Sequence, residues 1–491
     1  MKLTQSKLSK LPTNIDVPRY DRNKLKGGIL HIGVGNFHRS HQAIYYQDLL
    51  NSGGELSWGI RGAGVRSSDT QMRNLLSEQD WLSSVTEVDS NELHTTICGT
   101  MIDFVDIDTR SNAPLIGAMS APETKIVSLT VTEGGYFINS ATGKFDLANP
   151  NILHDIENPQ SPRTAFGAIL SALSKRKDLG IKPFTVMSCD NLPGNGDITK
   201  NIIQSMATSI NNDLGKWVLD SVSFPNSMVD RITPMTGKHE RSTLKSEFGI
   251  EDNSPVFCEP YRQWVLEDRF TNGRPELENV GAVFTDDIHS FEKMKIRILN
   301  GGHAFLAYPS ALLGIEYTHE AMASPLLKQY MCKVLTDDVF PFVACVTGFT
   351  PSTYLEQVCQ RFENTGIADA IERLCYDGTN RQPKFVVPSI TENLAQARIP
   401  NGLALSCALW CQYCNGQTDQ RKTIANNDPM WDERQTIAHQ AQQRPVVWLE
   451  QKDIYGELST NKEFVAAFSA ALKSLIRHGT QYTIDQYLSA A

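Results

Sequence analysis

The sequence contains no continuous apolar run of about 18 residues, which is the length that a membrane-spanning helix needs. It also has no excess of positive charge: the formal net charge is −9, so nothing draws the chain to nucleic acid or anionic membranes. Residues 1–18 alternate polar and apolar side chains and lack the apolar centre of a signal peptide. We therefore expect a cytoplasmic protein that binds neither nucleic acid nor membrane.

Cysteine clusters of the kind that hold metals or disulfide frameworks are also missing. The 10 cysteines are scattered between Cys98 and Cys414, as is typical of reduced thiols in a large intracellular protein. Cys411 and Cys414 have a zinc-like spacing, but no second pair or histidines follow at a suitable distance. We predict two thiols on a core helix and no metal site.

The pattern of apolar residues changes along the chain of 491 residues, which is long enough for two domains. Up to about residue 280, short apolar runs such as 28–33 and 125–131 alternate with helix-like stretches such as 42–51. This alternation predicts an α/β fold with a mostly parallel sheet. After residue 290 the segments are longer and helix-periodic, so we predict a domain over 1–286 and a mostly α-helical domain over 287–491.

The first apolar run leads directly into Gly33-Val-Gly35-Asn36-Phe37-His38-Arg39. Glycines at such a turn let the backbone approach a pyrophosphate, and the following helix offers free N–H groups. His38 stands where the usual fingerprint has its third glycine, so the motif is a variant. The segment predicts a Rossmann-type dinucleotide site, and the alternative is an ordinary glycine turn between a strand and a helix.

Asp69 follows the second apolar run and predicts the choice of dinucleotide. A carboxylate at this place accepts hydrogen bonds from the adenosine ribose and repels a 2′-phosphate, which favours NAD. Asp69 lies 36 residues beyond Gly33, instead of the typical ~20, which requires an inserted loop. Arg66 lies close by and is a residue type that favours NADP, so NAD is expected and NADP is not excluded.

Residues 291–303 carry an unusual mixture of polar side chains between apolar ones. In a regular α-helix with Ser290 as N-cap, Glu292, Lys295, Asn300 and His303 share an arc of about 140°. A glycine pair at 301–302 costs around 1 kcal/mol per residue in a helix, which indicates close packing or the approach of a ligand. The segment predicts a catalytic face, and the alternative is a solvated helix surface.

Two further segments contain polar residues at places where α/β proteins bind ligands. Asn191 lies in 187–196, at the carboxyl end of a predicted buried strand, although this composition is also that of an ordinary turn. Asp230 lies next to Arg231 in 228–234, where the alternative is a surface ion pair. Both residues are candidates for the chemical site.

Together these segments resemble the mannitol dehydrogenase family, the polyol-specific long-chain dehydrogenases, over nearly the whole chain. The matching motifs are Gly33-x-Gly35-x-Phe37-x-Arg39 followed by His41, Thr132-Glu-Gly-Gly-Tyr136, Ser188-Cys-Asp-Asn191-Leu-x-Gly-Asn-Gly196, Val229-Asp-Arg-Ile-Thr-Pro234 and Phe291-x-Lys-x-Lys295-x4-Asn300-x2-His303. The resemblance implies a Rossmann-type amino-terminal domain, a helical carboxyl-terminal domain that carries substrate and catalytic residues, and an active site in the cleft between them.

The resemblance also implies the activity, which is zinc-independent and NAD(H)-dependent interconversion of a polyol and its ketose, of the D-mannitol and D-fructose type. The implied roles are as follows: Lys295 as general acid/base, Asn191 and Asn300 as an oxyanion hole, His303 for substrate orientation, Asp230 and Arg373 for substrate binding, Glu133 and Glu292 for a proton route, and Gly33, Gly35, Asn36, Phe37, Arg39 and Asp69 for the dinucleotide. Alcohol oxidation needs a base, and burial lowers the pKa of a lysine towards neutrality.

Three alternatives remain open from the residues. A hexuronate reductase, acting on fructuronate or tagaturonate, would need a cation in the pocket, for which Arg373 and Arg381 are candidates. Arabinitol or sorbitol are further polyol substrates. A dinucleotide sensor without turnover would need no lysine base. The sequence does not determine the oligomeric state, and a monomer or a small homo-oligomer is expected.

Overall fold

The computed structural model describes residues 1–90, 92–139 and 143–490. The chain divides into two compact units, Met1–His289 and Ser290–Ala491. The first unit contains parallel sheets with helices, and the second consists of helices, so the predicted fold class is confirmed. None of the described helices combines the length and the apolar content that crossing a membrane requires.

A five-stranded parallel sheet organises the first unit. In spatial order its strands are Met101–Phe104, Ile60–Ala63, Ile29–Ile32, Ile126–Leu129 and Thr185–Ser188. Along the chain these are the third, second, first, fourth and fifth strands of the sheet, which is the Rossmann order. Ile29–Ile32 is buried at every position because the sheet carries helices on its faces.

Two smaller sheets in this unit were not predicted. One contains Ile15–Asp16, Glu92–Cys98, Ser83–Asp89 and Val256–Cys258, and the other contains Val283–Phe284, Gln263–Leu266 and Ser227–Asp230. Each includes an antiparallel pair, so the unit is not built from parallel pairing alone. Its α-helices are Asn36–Ser40, Gln42–Asn51, Asp69–Ser77, Ala113–Ser120, Pro150–Glu157, Ala165–Asp178, Asn195–Ile210, Asn212–Ser221 and Lys238–Phe248.

The second unit is built around the buried helix Asn401–Cys414, which packs against Lys462–Ser489. Cys411 and Cys414 lie on this helix within the hydrophobic core. The other α-helices are Ile288–Met294, which begins at the unit boundary, Gly301–Leu313, Thr318–Ala323, Pro325–Val334, Pro351–Glu363, Ile371–Cys375, Gly378–Phe385, Val387–Ala395, Trp431–Ala441 and Lys452–Tyr455.

The segment that was predicted as one regular α-helix from Ser290 differs from that prediction. The helix begins at Ile288, so Ser290 is not its N-cap, and Lys295–Asn300 forms a π-helical turn before Gly301–Leu313. Hydrogen bonding from i to i+5 widens this turn, so the 100° spacing behind the predicted arc does not apply between residues 295 and 300. Such turns occur frequently at functional sites.

Candidate active site

A cavity of about 490 Å³ lies at the carboxyl ends of the central strands of the first unit. Ligands of open parallel sheets bind at this edge, where the strand order reverses. The wall is formed by residues that follow three strand ends and by residues at the starts of three helices: Ile32, Gly33, Val34, Gly35, Val65, Arg66, Asp69, Thr130, Val131, Thr132, Gly134, Gly135, Phe137, Asn151, Arg163, Thr164 and Ala165. The structure therefore brings three predicted dinucleotide residues, Gly33, Gly35 and Asp69, to one cavity.

The two glycines serve this wall in different ways. Gly33 has φ of +100°, and a Cβ there would lie 2.1 Å from the carbonyl oxygen of Thr130, so no other residue fits. At Gly35 the nearest atom to an added Cβ is 3.9 Å away, so packing does not require glycine. The open space in front of Gly35 instead lets the backbone approach a pyrophosphate, so the residues present fit a bound dinucleotide.

Arg39 lies behind the turn, and among the described residues it does not line the cavity. It is 1% exposed, and its guanidinium donates to the carbonyl and hydroxyl oxygens of Ser254 and, at 2.8 Å, to Asn36 Oδ1. Burial lowers the pKa of Arg39 to about 10. The ring of Phe37 stacks on His41 with 5.0 Å between centroids. These contacts indicate that Asn36, Phe37 and Arg39 hold the turn from behind.

His38 occupies the position of the missing third glycine because its ring stacks on that of His31, with 3.4 Å between the centroids. His31 is anchored in the central strand by hydrogen bonds to the hydroxyls of Ser128 and Thr130. Burial lowers the pKa of His31 to about 3 and that of His38 well below its usual value, so both rings are neutral near pH 7. The partner on another element explains why the local motif departs from the fingerprint.

Asp69 begins the helix after the second strand and faces the cavity. Its Oδ2 accepts hydrogen bonds from the backbone amides of Val65 (3.0 Å) and Arg66 (2.9 Å), which fixes the short turn between the second strand and this helix. The extra length between Gly33 and Asp69 lies before the second strand, in the helices Asn36–Ser40 and Gln42–Asn51 and the segment that follows them. The Arg66 residue lines the same cavity. A carboxylate and a cation therefore both border the place where an adenosine ribose would bind.

Asp190, which the sequence analysis did not single out, supports the opposite wall. It is 7% exposed, and its carboxylate accepts hydrogen bonds from the amides of Val131 (3.0 Å) and Thr132 (2.7 Å) and the hydroxyl of Tyr136 (2.7 Å). Burial raises the pKa of Asp190. Thr132 has φ of +66°, a strained value for a β-branched residue, which these bonds hold in place. Glu133, the next residue, is exposed.

Asn191 follows Asp190 directly and is exposed at the end of the strand. Asn195 holds the neighbouring backbone in place: its Nδ2 donates to the carbonyl oxygens of Asp190 (3.0 Å) and Ser227 (2.8 Å). Ser227 begins the strand that ends at Asp230, which is 4% exposed. The side chain of Asn195 therefore links the two segments that carry the predicted residues Asn191 and Asp230.

In the second unit, Lys295 and Asn300 are the first and last residues of the π-helical turn. Lys295 is 7% exposed, and Glu292, in the preceding turn, is 6% exposed, so neither lies on a solvated face. The Asn300 Oδ1 atom is buried without a hydrogen-bond partner among the described residues. This oxygen can therefore accept a hydrogen bond from a bound molecule.

His303 lies one turn after Asn300 and also has a buried polar atom without a partner among the described residues. This atom is Nε2, and the imidazole ring stacks on Phe362 at 4.2 Å. Burial, followed by the positive charges of Arg373, Arg361 and Arg381, lowers the pKa of His303 well below its usual value. Nε2 is also 4.0 Å from a carboxylate oxygen of Asp369.

Arg373 is brought near His303 through Asp369. Its guanidinium donates two hydrogen bonds of 2.6 Å to the two carboxylate oxygens of Asp369, while 53% of the arginine side chain stays exposed. Asp369 was not predicted as a site residue; it lies two residues before the helix Ile371–Cys375 that carries Arg373. Packing does not explain the glycine pair at 301–302, because an added Cβ would meet side-chain atoms only at 3.5 Å or more.

Comparison with known proteins covers both units. The model of the mannitol dehydrogenase Rossmann domain matches residues 27–279, and that of the mannitol dehydrogenase C-terminal domain matches residues 287–476. A mannitol 2-dehydrogenase of Cereibacter sphaeroides is 50% identical over 96% of this chain and 98% of its own length. One of Aspergillus oryzae is 37% identical over 99% of both chains.

Two solved structures have the same fold over the whole chain. Pseudomonas fluorescens mannitol 2-dehydrogenase, solved as a ternary complex with NAD and D-mannitol, has a TM-score of 0.89 and 41% identity and covers 100% of both chains. A D-sorbitol dehydrogenase in substrate-free form has a TM-score of 0.91 and 32% identity, over 99% of this chain and 100% of that one.

Proposed function

This chain belongs to the mannitol dehydrogenase family, and on that premise we propose that it interconverts a polyol and its ketose with NAD, with D-mannitol and D-fructose as the preferred pair. The observation that carries the proposal is a pair of buried polar atoms, Asn300 Oδ1 and His303 Nε2, that have no hydrogen-bond partner within the described part of the chain. Both lie on a helix whose π-helical turn starts with the buried Lys295. Substrate hydroxyl groups are the partners that such atoms need.

The dinucleotide belongs in the cavity at the Rossmann strand ends. Gly33, Gly35 and Asp69 border it directly, whereas Asn36, Phe37 and Arg39 act by holding the glycine turn. NAD bound there supplies the hydride acceptor for alcohol oxidation. Asp69 disfavours a 2′-phosphate, so NAD is preferred over NADP.

Lys295 is the general acid/base: its amine takes the hydroxyl proton when the alcohol is oxidised and returns it in the reverse direction. An amine removed from bulk water gives up its proton more readily than one in water. The amides of Asn191 and Asn300 donate to the reacting oxygen as an oxyanion hole, which typically contributes ~3 kcal/mol per donor. Glu133 and Glu292 pass the proton between Lys295 and solvent.

His303 orients the substrate by binding a hydroxyl through Nε2, and Asp230 and Arg373 bind the rest of the polyol. Arg373 is held by both oxygens of Asp369, and Arg381 donates to backbone carbonyls, including that of Leu374 at 2.7 Å. Since both arginines are already engaged within the unit, a substrate carboxylate would have to compete for them. This favours a neutral polyol over a hexuronate.

In this proposal zinc has no part, because Lys295 supplies the base that the reaction needs. The 10 cysteines are free thiols, which supports a reducing compartment such as the cytoplasm. The chain acts on small molecules, as a monomer or a small homo-oligomer.

The test is an absorbance assay of NADH. Mannitol, sorbitol and arabinitol are offered with NAD, and fructose, fructuronate and tagaturonate with NADH. We expect the highest kcat/KM for mannitol and fructose, a lower value with NADP, and full activity after dialysis against a chelator. Preference for fructuronate would replace the proposal with a hexuronate reductase. Binding of NADH without turnover of any substrate would identify a sensor instead.

A further inference from the structure

Two cysteines of the second unit face each other across neighbouring helices. Cys332 lies on Pro325–Val334 and Cys359 on Pro351–Glu363, and their sulfur atoms are 3.9 Å apart. Both are free thiols. Nothing in the proposed chemistry of polyol oxidation uses this pair.

The surroundings of Cys332 favour its reaction. Cys332 is partly exposed, whereas Cys359 is 9% exposed, so Cys332 is the more accessible of the two. The hydrogen bond from the Cys359 thiol is the largest effect on the Cys332 thiol and lowers its pKa below that of an ordinary thiol. Lys328 lowers this pKa further, while burial and Glu363, the ion-pair partner of Lys328, oppose the shift. In contrast, burial raises the pKa of Cys375 to about 12. Since the thiolate is the nucleophile, Cys332 is more reactive than such buried cysteines.

We propose that Cys332 and Cys359 form a redox-sensitive pair that hydrogen peroxide oxidises to a disulfide. The Cys332 thiolate attacks one peroxide oxygen, so that an S–O bond forms, the O–O bond breaks and the leaving hydroxide takes up a proton to become water. The Cys359 thiol then attacks the Cys332 sulfur and loses its proton. The S–S bond forms as the S–O bond breaks, and a second water leaves. Two thiols are oxidised, and one peroxide is reduced to two waters.

Formation of this disulfide should affect the helix that carries Asn300 and His303, because both cysteines lie next to residues that pack against that helix. Met331 is the neighbour of Cys332, and Phe362 lies one turn after Cys359. The side chains of both flank Gly302, at 3.5 Å from the position of a Cβ. Phe362 also stacks on His303. A disulfide requires the sulfurs to approach from 3.9 Å to about 2 Å, and the bond then ties these two helices to each other covalently beside His303. We expect a reversible rise in KM for the polyol, an effect that rests on the proposed function.

The chemical step is tested on the full-length protein without reference to activity. The reduced chain is treated with hydrogen peroxide, the remaining thiols are alkylated, and the peptides are analysed by mass spectrometry without reductant. We expect a peptide pair joined through Cys332 and Cys359, with the mass of two hydrogens lost, and its disappearance after dithiothreitol. Recovery of both cysteines in alkylated form, or their oxidation to sulfinic acids without a cross-link, would overturn the proposal.

Matched variants separate the pair from the other thiols. Cys332→Ser and Cys359→Ser should each abolish the cross-linked peptide, whereas Cys345→Ser, at an exposed cysteine, should leave it unchanged. If either serine variant does not fold, the wild-type peptide analysis alone decides the question. A peroxide-induced rise in KM that persists in Cys332→Ser would show that the effect does not come from this pair. Absence of polyol turnover in the reduced protein, when oxidation still produces the cross-link, would contradict the proposed function and leave the redox pair intact.

Discussion

At Gly33 the backbone φ is +100° and an added Cβ would lie 2.1 Å from the Thr130 carbonyl oxygen. At Gly302, in contrast, an added Cβ would meet the Met331 sulfur and the Phe362 ring at 3.5 Å and a Leu335 methyl group at 3.7 Å. The first glycine belongs to the dinucleotide turn and the second to the proposed catalytic helix. In the amino-terminal unit, the geometry of the site depends on a backbone conformation at Gly33 that a residue with a side chain could not adopt. In the carboxyl-terminal unit it depends on side chains that an irregular helix presents.

Mutations in the two units should therefore have different effects, and these can be measured separately. Changes to the turn should alter dinucleotide binding and folding stability, because the backbone itself forms the wall of the cavity. Changes on the helix should alter chemistry and leave dinucleotide binding intact, because the cavity is lined by residues of the first unit.

Lys295→Ala should have the largest effect. Loss of a general base typically lowers the rate by roughly 10²–10⁴-fold. We expect kcat to fall by that factor, while the dissociation constant of NADH, measured by fluorescence titration, stays unchanged. The matched control is Lys293→Ala on the same helix, whose amine binds Glu392 at 2.8 Å and should be dispensable. Near-normal kcat in Lys295→Ala would remove the proposed mechanism.

Acid should destabilise the amino-terminal unit first. Burial lowers the pKa of His31 and of His41 to about 3, and it lowers the pKa of His38 well below its usual value. In the second unit, burial lowers the pKa of His303 in the same direction. The folded state keeps these rings neutral, and the unfolded chain binds protons below about pH 6.5. Stability from each ring is therefore present above that pH and falls by about 1.4 kcal/mol per pH unit below it.

Limited proteolysis between neutral pH and about pH 5, with the fragments identified by mass spectrometry, checks this difference. We expect the first new cleavage sites within residues 1–289. First cleavage in the second unit at the lower pH would show that the buried imidazoles do not determine the acid response.

Gly33→Ala should lower the free energy of unfolding and abolish dinucleotide binding. The positive φ alone costs ~1–3 kcal/mol for a non-glycine residue, and the overlap with Thr130 adds to this. The control is Gly35→Ala, for which the protein has room, so that urea unfolding should be unchanged while NADH binds more weakly. If Gly35→Ala binds NADH normally, the pyrophosphate does not approach the backbone there.

Asp190→Asn should raise KM for NAD, because an amide cannot accept all three hydrogen bonds that hold Val131, Thr132 and Tyr136, and an unsatisfied buried group costs ~1–3 kcal/mol. Asp428 in the second unit is a matched control. It is 6% exposed and accepts hydrogen bonds from two backbone amides and one hydroxyl. Asp428→Asn should lose similar stability with an unchanged KM for NAD. If KM for NAD changed equally in both variants, Asp190 would affect the enzyme through its stability alone and not through the cavity wall.

The same contrast explains how much could be predicted from the sequence. The Gly33 turn was predictable because a left-handed backbone selects glycine locally. His38 was not explained, because its partner His31 lies on another element. The π-helical turn at Lys295–Asn300 was missed because its apolar pattern is also that of an α-helix, and Asp190 because its partners lie about 60 residues earlier.

Gly302→Ala should have the smallest effect and the opposite sign to Gly33→Ala. The backbone at 302 is helical, and the Cβ meets only ordinary contacts, so alanine gains helix propensity of up to about 1 kcal/mol relative to glycine. We expect a higher free energy of unfolding in urea and unchanged NADH binding. Because the added methyl group faces Met331 and Phe362, kcat should also be preserved. A loss of stability would show that the helix at this point needs the freedom of glycine, as the turn at Gly33 does, and the contrast between the two units would fail.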